Sequence, residues 1–234
     1  MATFVLVHGG WSGAHGYRHV RRLLQASGQD VFTPSLTGIG ERAHLTSPQV
    51  NLTTHIRDVV NVVLYEDLHD IVLLGFSYGG FVVTGTVDHI AGRVRHLVYL
   101  DAFVPGNGDT VNGLAGRGAS GPINIEDDWL VPPPTRHFDD EAEAAFMNAR
   151  RTPHPLGCFT EPLKLGQPLE HFPFERTFIR ATADAPDAPG TEAFTTAATR
   201  AQRSPAWHYH EISTNHMVAS NRPHELTELL LSLA

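Results

Sequence analysis

Short apolar runs alternate along this chain with longer stretches in which apolar residues recur every three or four positions. That rhythm predicts strands joined by crossover helices in a largely parallel sheet. The runs that read as strands are Thr3–Val7, 30–34, Ile71–Phe76, 97–102, 177–181 and His208–Ile212, six in all. Between the first two, residues 17–27 carry Val20, Leu23 and Leu24 at helical spacing and stop at Gly28, a C-terminal stop signal. Residues 53–65 repeat the device, with Ile56, Val59, Val60, Val63 and Leu64 on one face. Further helices are expected at 81–90, 140–150, Thr191–Arg203 and 224–233.

One interval breaks the rhythm. From 104 to 175 there is no clean strand, and 106–134 is dense in Gly, Pro, Asn and Asp. A structureless loop of that length is improbable in a compact domain, so the segment is expected to be an inserted lid over a core built from 1–103 and 176–234. No internal repeat interrupts this plan.

Composition narrows the function classes. A chain of 234 residues, 41% hydrophobic and 18% charged, can bury the core of one domain unaided. Its formal charge of -8 and its lack of any Lys/Arg-rich run argue against nucleic-acid binding, which depends on clustered positive charge. No run approaches the ~18 apolar residues of a membrane span, and Thr3–Val7 is too short for a signal segment. With the single cysteine, Cys158, no internal disulfide can form, and the residue reads as a small apolar filler. These features predict a cytoplasmic protein with a small-molecule substrate and no membrane or nucleic-acid partner; a homodimer is allowed. The 15 histidines are scattered, with no HExxH and no HxxxH that puts two of them on one helical face beside an acidic ligand, and are expected to be mostly solvated.

The strongest chemical signal is Gly75-Phe76-Ser77-Tyr78-Gly79, a GxSxG directly after a buried strand and directly before a helix. A serine on so tight a strand-to-helix turn is held in a strained conformation with its hydroxyl above the strand ends. A second signal is Val7-His8-Gly9-Gly10 at the end of the first strand. Acyl transfer creates an oxyanion that needs preorganised N–H donors, and the amides of Gly10 and Tyr78 are the candidates. A general base is expected after the last strand, where His216 lies in Ser213-Thr214-Asn215-His216-Met217. For the acid that orients it, Asp184 in the loop after 177–181 is the first choice, with Asp187 in the same loop and Asp101, at the end of the preceding strand, as rivals.

These pieces resemble the α/β-hydrolases that include plant methylesterases, salicylate-binding esterase, plant hydroxynitrile lyases and bacterial esterases. The resemblance rests on FVLVHGGWSGA at 4–14, LLGFSYGG at 73–80, HLVYLDAFVP at 96–105, FIRATAD at 178–184 and NHMVASNRP at 215–223. It implies the α/β-hydrolase fold, with Ser77, Asp184 and His216 as a triad, Gly10 and Tyr78 as oxyanion donors, and no metal or organic cofactor. Hydroxynitrile lyases of the rubber-tree type look to carry a lysine after the catalytic histidine and a threonine after the first-motif histidine. Here Met217 and Gly9 stand there. Family dehalogenases and epoxide hydrolases look to use an aspartate at the Ser77 position.

The expected activity is therefore hydrolysis of a carboxylic ester, or a related lactone or thioester, of a small apolar or aromatic molecule through an acyl-enzyme. Competing readings are a C–C hydrolase or hydroxynitrile-lyase-like enzyme on the same triad, a perhydrolase, and a non-catalytic small-molecule receptor. Trp11, Trp129 and Met217 are candidate substrate contacts, with Phe138, Phe146, Met147, Phe159, Phe172 and Phe174 as further apolar residues of the expected lid.

Overall fold

The computed structural model describes residues 1–116, 129–183 and 191–234. Six parallel strands form one sheet: β1 (Thr3–Val7), β2 (Asp30–Phe32), β3 (Ile71–Phe76), β4 (Val94–Leu100), β5 (Glu175–Ala181) and β6 (His208–Ile212), in spatial order β2-β1-β3-β4-β5-β6. The longer helices are α1 (Arg18–Ala26), α2 (Leu52–Tyr65), α3 (Gly79–Ile90), α4 (Glu141–Asn148), α5 (Thr191–Arg203) and α6 (Pro223–Ser232).

A parallel sheet is covered on both faces, so its strands must feed two cores at once. Residues 5 and 7, 71 and 73, and 97 and 99 pack with α2, α3 and α5 on one face, while 4 and 6, 72 and 74, and 98 and 100 pack with α1 and α6 on the other. This alternation explains why the strands read as unbroken apolar runs. An Asn51 capping box, with the Asn51 side chain accepting from Thr54 N–H, fixes the start of α2.

The chain order reverses direction between β1 and β3. In open parallel sheets such a switch point leaves a crevice beyond the carboxyl ends of the strands. The two glycines after β1 and the serine after β3 flank that crevice.

The described part of 104–175 is not a structureless stretch. Leu130–Val131 pairs antiparallel with His154–Pro155, α4 follows the Asp140 cap, and two single-turn helices cover Val111–Leu114 and Gly157–Thr160. Strands of two residues are too short to show a period of two, which is why the sequence pattern does not reveal them. Val111, Phe159, Leu163, Leu169, Phe172 and Phe174 from this segment join the core on the α2/α3 face. Among the described residues, no helix is long and apolar enough to cross a membrane.

Candidate active site

The turn between β3 and α3 is tight because glycine permits it. A Cβ on Gly79 would lie 2.8 Å from the Val7 carbonyl oxygen, and one on Gly80 would lie 2.1 Å from that of Phe103. Between the strand and those glycines Ser77 adopts φ 56°, the left-handed region that a side chain ordinarily avoids. The turn brings its hydroxyl 2.9 Å from His216 Nε2. His216 reaches it from the loop after β6 and is itself buried between Phe76 and Phe194, with ring centroids at 4.6 and 5.0 Å. Two flanking rings leave the imidazole little freedom to rotate.

The carboxylate at the other ring nitrogen is Asp101. Its Oδ2 lies 2.6 Å from His216 Nδ1, its Oδ1 accepts from the Ala181 N–H at 3.2 Å, and the Arg180 guanidinium pairs with the same oxygen. A neutral imidazole carries one ring proton, and with that proton on Nδ1 facing Asp101, Nε2 is left to accept from Ser77. Of the three carboxylates that the sequence offers for this place, Asp101 from the end of β4 is the one bonded to the imidazole, while Asp184 and Asp187 lie outside the described residues. Asp101 is fully buried, and burial pushes its carboxyl up; the His216 hydrogen bond and the His216 and Arg180 charges outweigh this and hold it below the ordinary value.

Gly10 follows Gly9 beside the elbow, and a Cβ placed on it would lie 3.7 Å from Tyr78 Cβ. Among the described residues neither the Gly10 nor the Tyr78 amide has a hydrogen-bond acceptor. Two unspent donors beside a serine hydroxyl can receive a negatively charged oxygen.

Two clefts meet at Ser77. One is lined by Trp11, Phe76, His216, Met147, Met217, Arg136 and Arg151 among others, the second by Trp11, Phe103, Val111, Phe159 and Phe194. Trp11 and Met217, candidate substrate contacts, line this space. Trp129 lines neither cleft: its carbonyl accepts from Leu156 N–H next to the short ladder, and that ladder brings His154, not Trp129, against Trp11, Tyr78 and Phe159. Phe146 lies under the Arg18 and Arg150 guanidinium groups, Phe172 stacks on Phe174, and Phe138 is buried without lining either cleft. Sequence patterning missed Phe194, Arg136 and Arg151, which carry no motif and meet the site only through the fold.

Five histidines, His8, His55, His96, His154 and His216, are buried, so the expectation of solvated rings fails for a third of them. His8 Nδ1–H donates to the Gly9 carbonyl while Nε2 accepts from Leu36 N–H. His55 Nε2–H donates to the Thr37 carbonyl while Nδ1 accepts from the Tyr78 hydroxyl. The rings brace the Gly9 turn and the Tyr78 side chain, and both are satisfied only when neutral. His55, His154 and Cys158 approach within 4.8 Å of one another, but both nitrogens of His55 are already engaged. Burial also pushes the Cys158 thiol up, which makes it an inert filler.

These rings predict acid sensitivity. Burial, opposed by the bonds to the Gly9 and Thr37 carbonyls, brings His8 and His55 each down to about 4. The unfolded chain takes up those protons from about pH 6.5, so the stabilisation is complete above that value and is lost as pH falls toward 4. At pH 5.5 each ring accounts for ~1.4 kcal/mol, about 3 kcal/mol together. That is a large part of a typical ~5–15 kcal/mol total. Urea unfolding at pH 7.5 and 5.5 is expected to show this loss, and equal midpoints would contradict it.

Serine, imidazole and carboxylate converging on a strand-end crevice define the general class of α/β-hydrolase-fold proteins. A sequence model described as "Alpha/beta hydrolase family" matches residues 4–229, and the chain belongs to that family. It is 35% identical over 250 aligned positions to a carbendazim hydrolyzing esterase of Nocardioides sp. (strain SG-4G), with all of both chains covered. A pyrethroid hydrolase of Sphingobium wenxiniae is 32% identical across 47% of this chain and 39% of that protein. Among solved structures, an extracellular α/β-hydrolase from a Paenibacillus species superposes with TM-score 0.78 at 21% identity, covering 100% of this chain and 99% of that one.

Proposed function

We propose that the chain is a serine hydrolase that cleaves a carboxylic ester, or a related lactone or thioester, of a small apolar or aromatic molecule. The observation that carries this reading is the unbroken Ser77–His216–Asp101 hydrogen-bond series opening into a cleft. Similarity to a carbendazim hydrolyzing esterase over the full length supports it.

In the first step His216 Nε2 takes the Ser77 proton as the oxygen attacks the carbonyl carbon, and the carbonyl oxygen gains charge against the Gly10 and Tyr78 amides. The C–O bond to the alcohol then breaks, and the alcohol leaves with the proton from His216. Water attacks the acyl-serine by the same route, returning Ser77 and the acid. Asp101 holds the ring in the required tautomer and stabilises its charged form. Residues 104–175 act as the lid, since their described part supplies Arg136, Met147, Arg151 and Phe159 to the cleft walls. Cyanohydrin cleavage is disfavoured because Met217 stands beside the reacting groups, and Lys164, the one lysine in the sequence, lines a different cavity.

A fluorophosphonate probe tests the reading directly. The expected result is a single adduct whose peptide map falls on Ser77. Failure to label, or labelling at another residue with Ser77 unmodified, would remove the serine-hydrolase assignment.

A further inference from the structure

The cleft that holds Ser77 and His216 contains an unspent cation. Arg151 lines it, and its Nε is inaccessible to solvent and has no hydrogen-bond partner. Neighbouring arginines are all engaged: Arg150 donates to the Phe146 carbonyl at the end of α4, Arg18 pairs with Glu143, and Arg222 pairs with Asp139. Arg151 has no ion pair among the described residues, and no described carboxylate lines either cleft.

Its position is fixed rather than incidental. The Arg151 N–H bonds the Asn148 carbonyl, the next residue donates its N–H to the Trp11 carbonyl at 3.3 Å, and Thr152 Oγ1 accepts from Gly40 N–H at 2.8 Å. The backbone that carries Arg151 is thereby held beside the Trp11 loop, and its side chain lines the cleft wall. Arg136 lines the same cleft, and burial together with the Arg136 charge brings Arg151 down to about 10. Burying the Arg151 charge without a partner costs free energy that a bound anion would offset. A guanidinium fork fits a carboxylate in two parallel bonds.

We propose that Arg151 is a specificity-determining residue that binds a carboxylate carried by the substrate. This rests on the esterase reading and narrows it: the substrate is a carboxylated ester, its anion in the arginine-lined cleft and its apolar or aromatic part in the cleft of Phe103, Phe159 and Phe194. A chain with net charge -8 that keeps the Arg151 cation in the cleft of its candidate nucleophile is arranged to admit an anion where the rest of its surface would repel one.

Matched substrates test this. Monomethyl terephthalate is compared with methyl 4-carbamoylbenzoate, which places the carboxylate on the acyl side, and 4-acetoxybenzoate with 4-acetoxybenzamide, which places it on the alcohol side. The expected result is a kcat/KM preference for the carboxylate in at least one pair. Arg151→Gln should reduce that carboxylate-to-amide ratio by about 10- to 100-fold, the worth of charge-assisted hydrogen bonds. No preference in either pair, or a ratio that survives the substitution, overturns the proposal. If Arg151→Gln does not fold, Arg151→Lys keeps the charge without the fork, and an unchanged ratio is equally fatal. Calorimetry separates this from the esterase reading: Ser77→Ala protein should bind terephthalate, and Ser77→Ala/Arg151→Gln should bind it at least about tenfold more weakly. If no ester is hydrolysed but that difference persists, the esterase reading fails and the anion site stands. Equal binding by both proteins removes the anion site whatever the turnover.

Discussion

Ser77→Ala is expected to lower ester turnover by about 10⁵-fold or more, leaving only what the oxyanion donors and binding supply without a nucleophile. Alanine keeps the Cβ, so the turn, the 7% exposure and the packing against α3 should be unchanged. His216 would lose its partner at Nε2 while retaining Asp101 at Nδ1. Purified variant and parent should therefore unfold at similar temperatures and differ only in rate. Retention of a tenth of the activity would exclude the acyl-serine route.

Asp101→Asn is expected to cost about 10⁴-fold in kcat with little change in KM. An amide at this place presents either an N–H or a carbonyl to His216 Nδ1. With the N–H facing it, the ring proton moves to Nε2, where it blocks acceptance of the serine proton. The pair with Arg180 would also lose its charge, and a partly buried guanidinium facing a neutral amide is destabilising by about 1–3 kcal/mol. Loss of stability alone would be relieved on cooling, whereas the kinetic defect would remain. A variant with near-parental kcat would move the acid role away from Asp101.

What the sequence made legible follows from distance along the chain. Thr3–Val7, Ile71–Phe76 and His208–Ile212 are readable because each is a dense apolar run bounded by polar or glycine residues. The elbow is readable because strand, glycines and helix are contiguous. By contrast the choice between Asp101 and Asp184 concerns which of two adjacent strand ends faces the imidazole, and both satisfy the order serine, acid, histidine. Only the register Leu100 with Ile179, together with the φ of 41° at Asp101, brings that carboxyl to the ring. The β4 strand begins at Val94, three residues before the expected 97, because His96 interrupts the apolar pattern although it is buried and bonded to Thr177 at 2.7 Å. A buried neutral histidine cannot be told from a solvated one by composition.

Trp11, Ser77 and Asp101, all in the left-handed region, gather at one end of one sheet. Each such residue costs about 1–3 kcal/mol relative to a relaxed backbone. The fold therefore forgoes thermal endurance at the same three places where it holds the loop beside Gly10, the Ser77 hydroxyl and the Asp101 carboxyl. Screening variants of this protein for heat resistance alone would reward relaxation of those turns, and so would enrich robust molecules that no longer react.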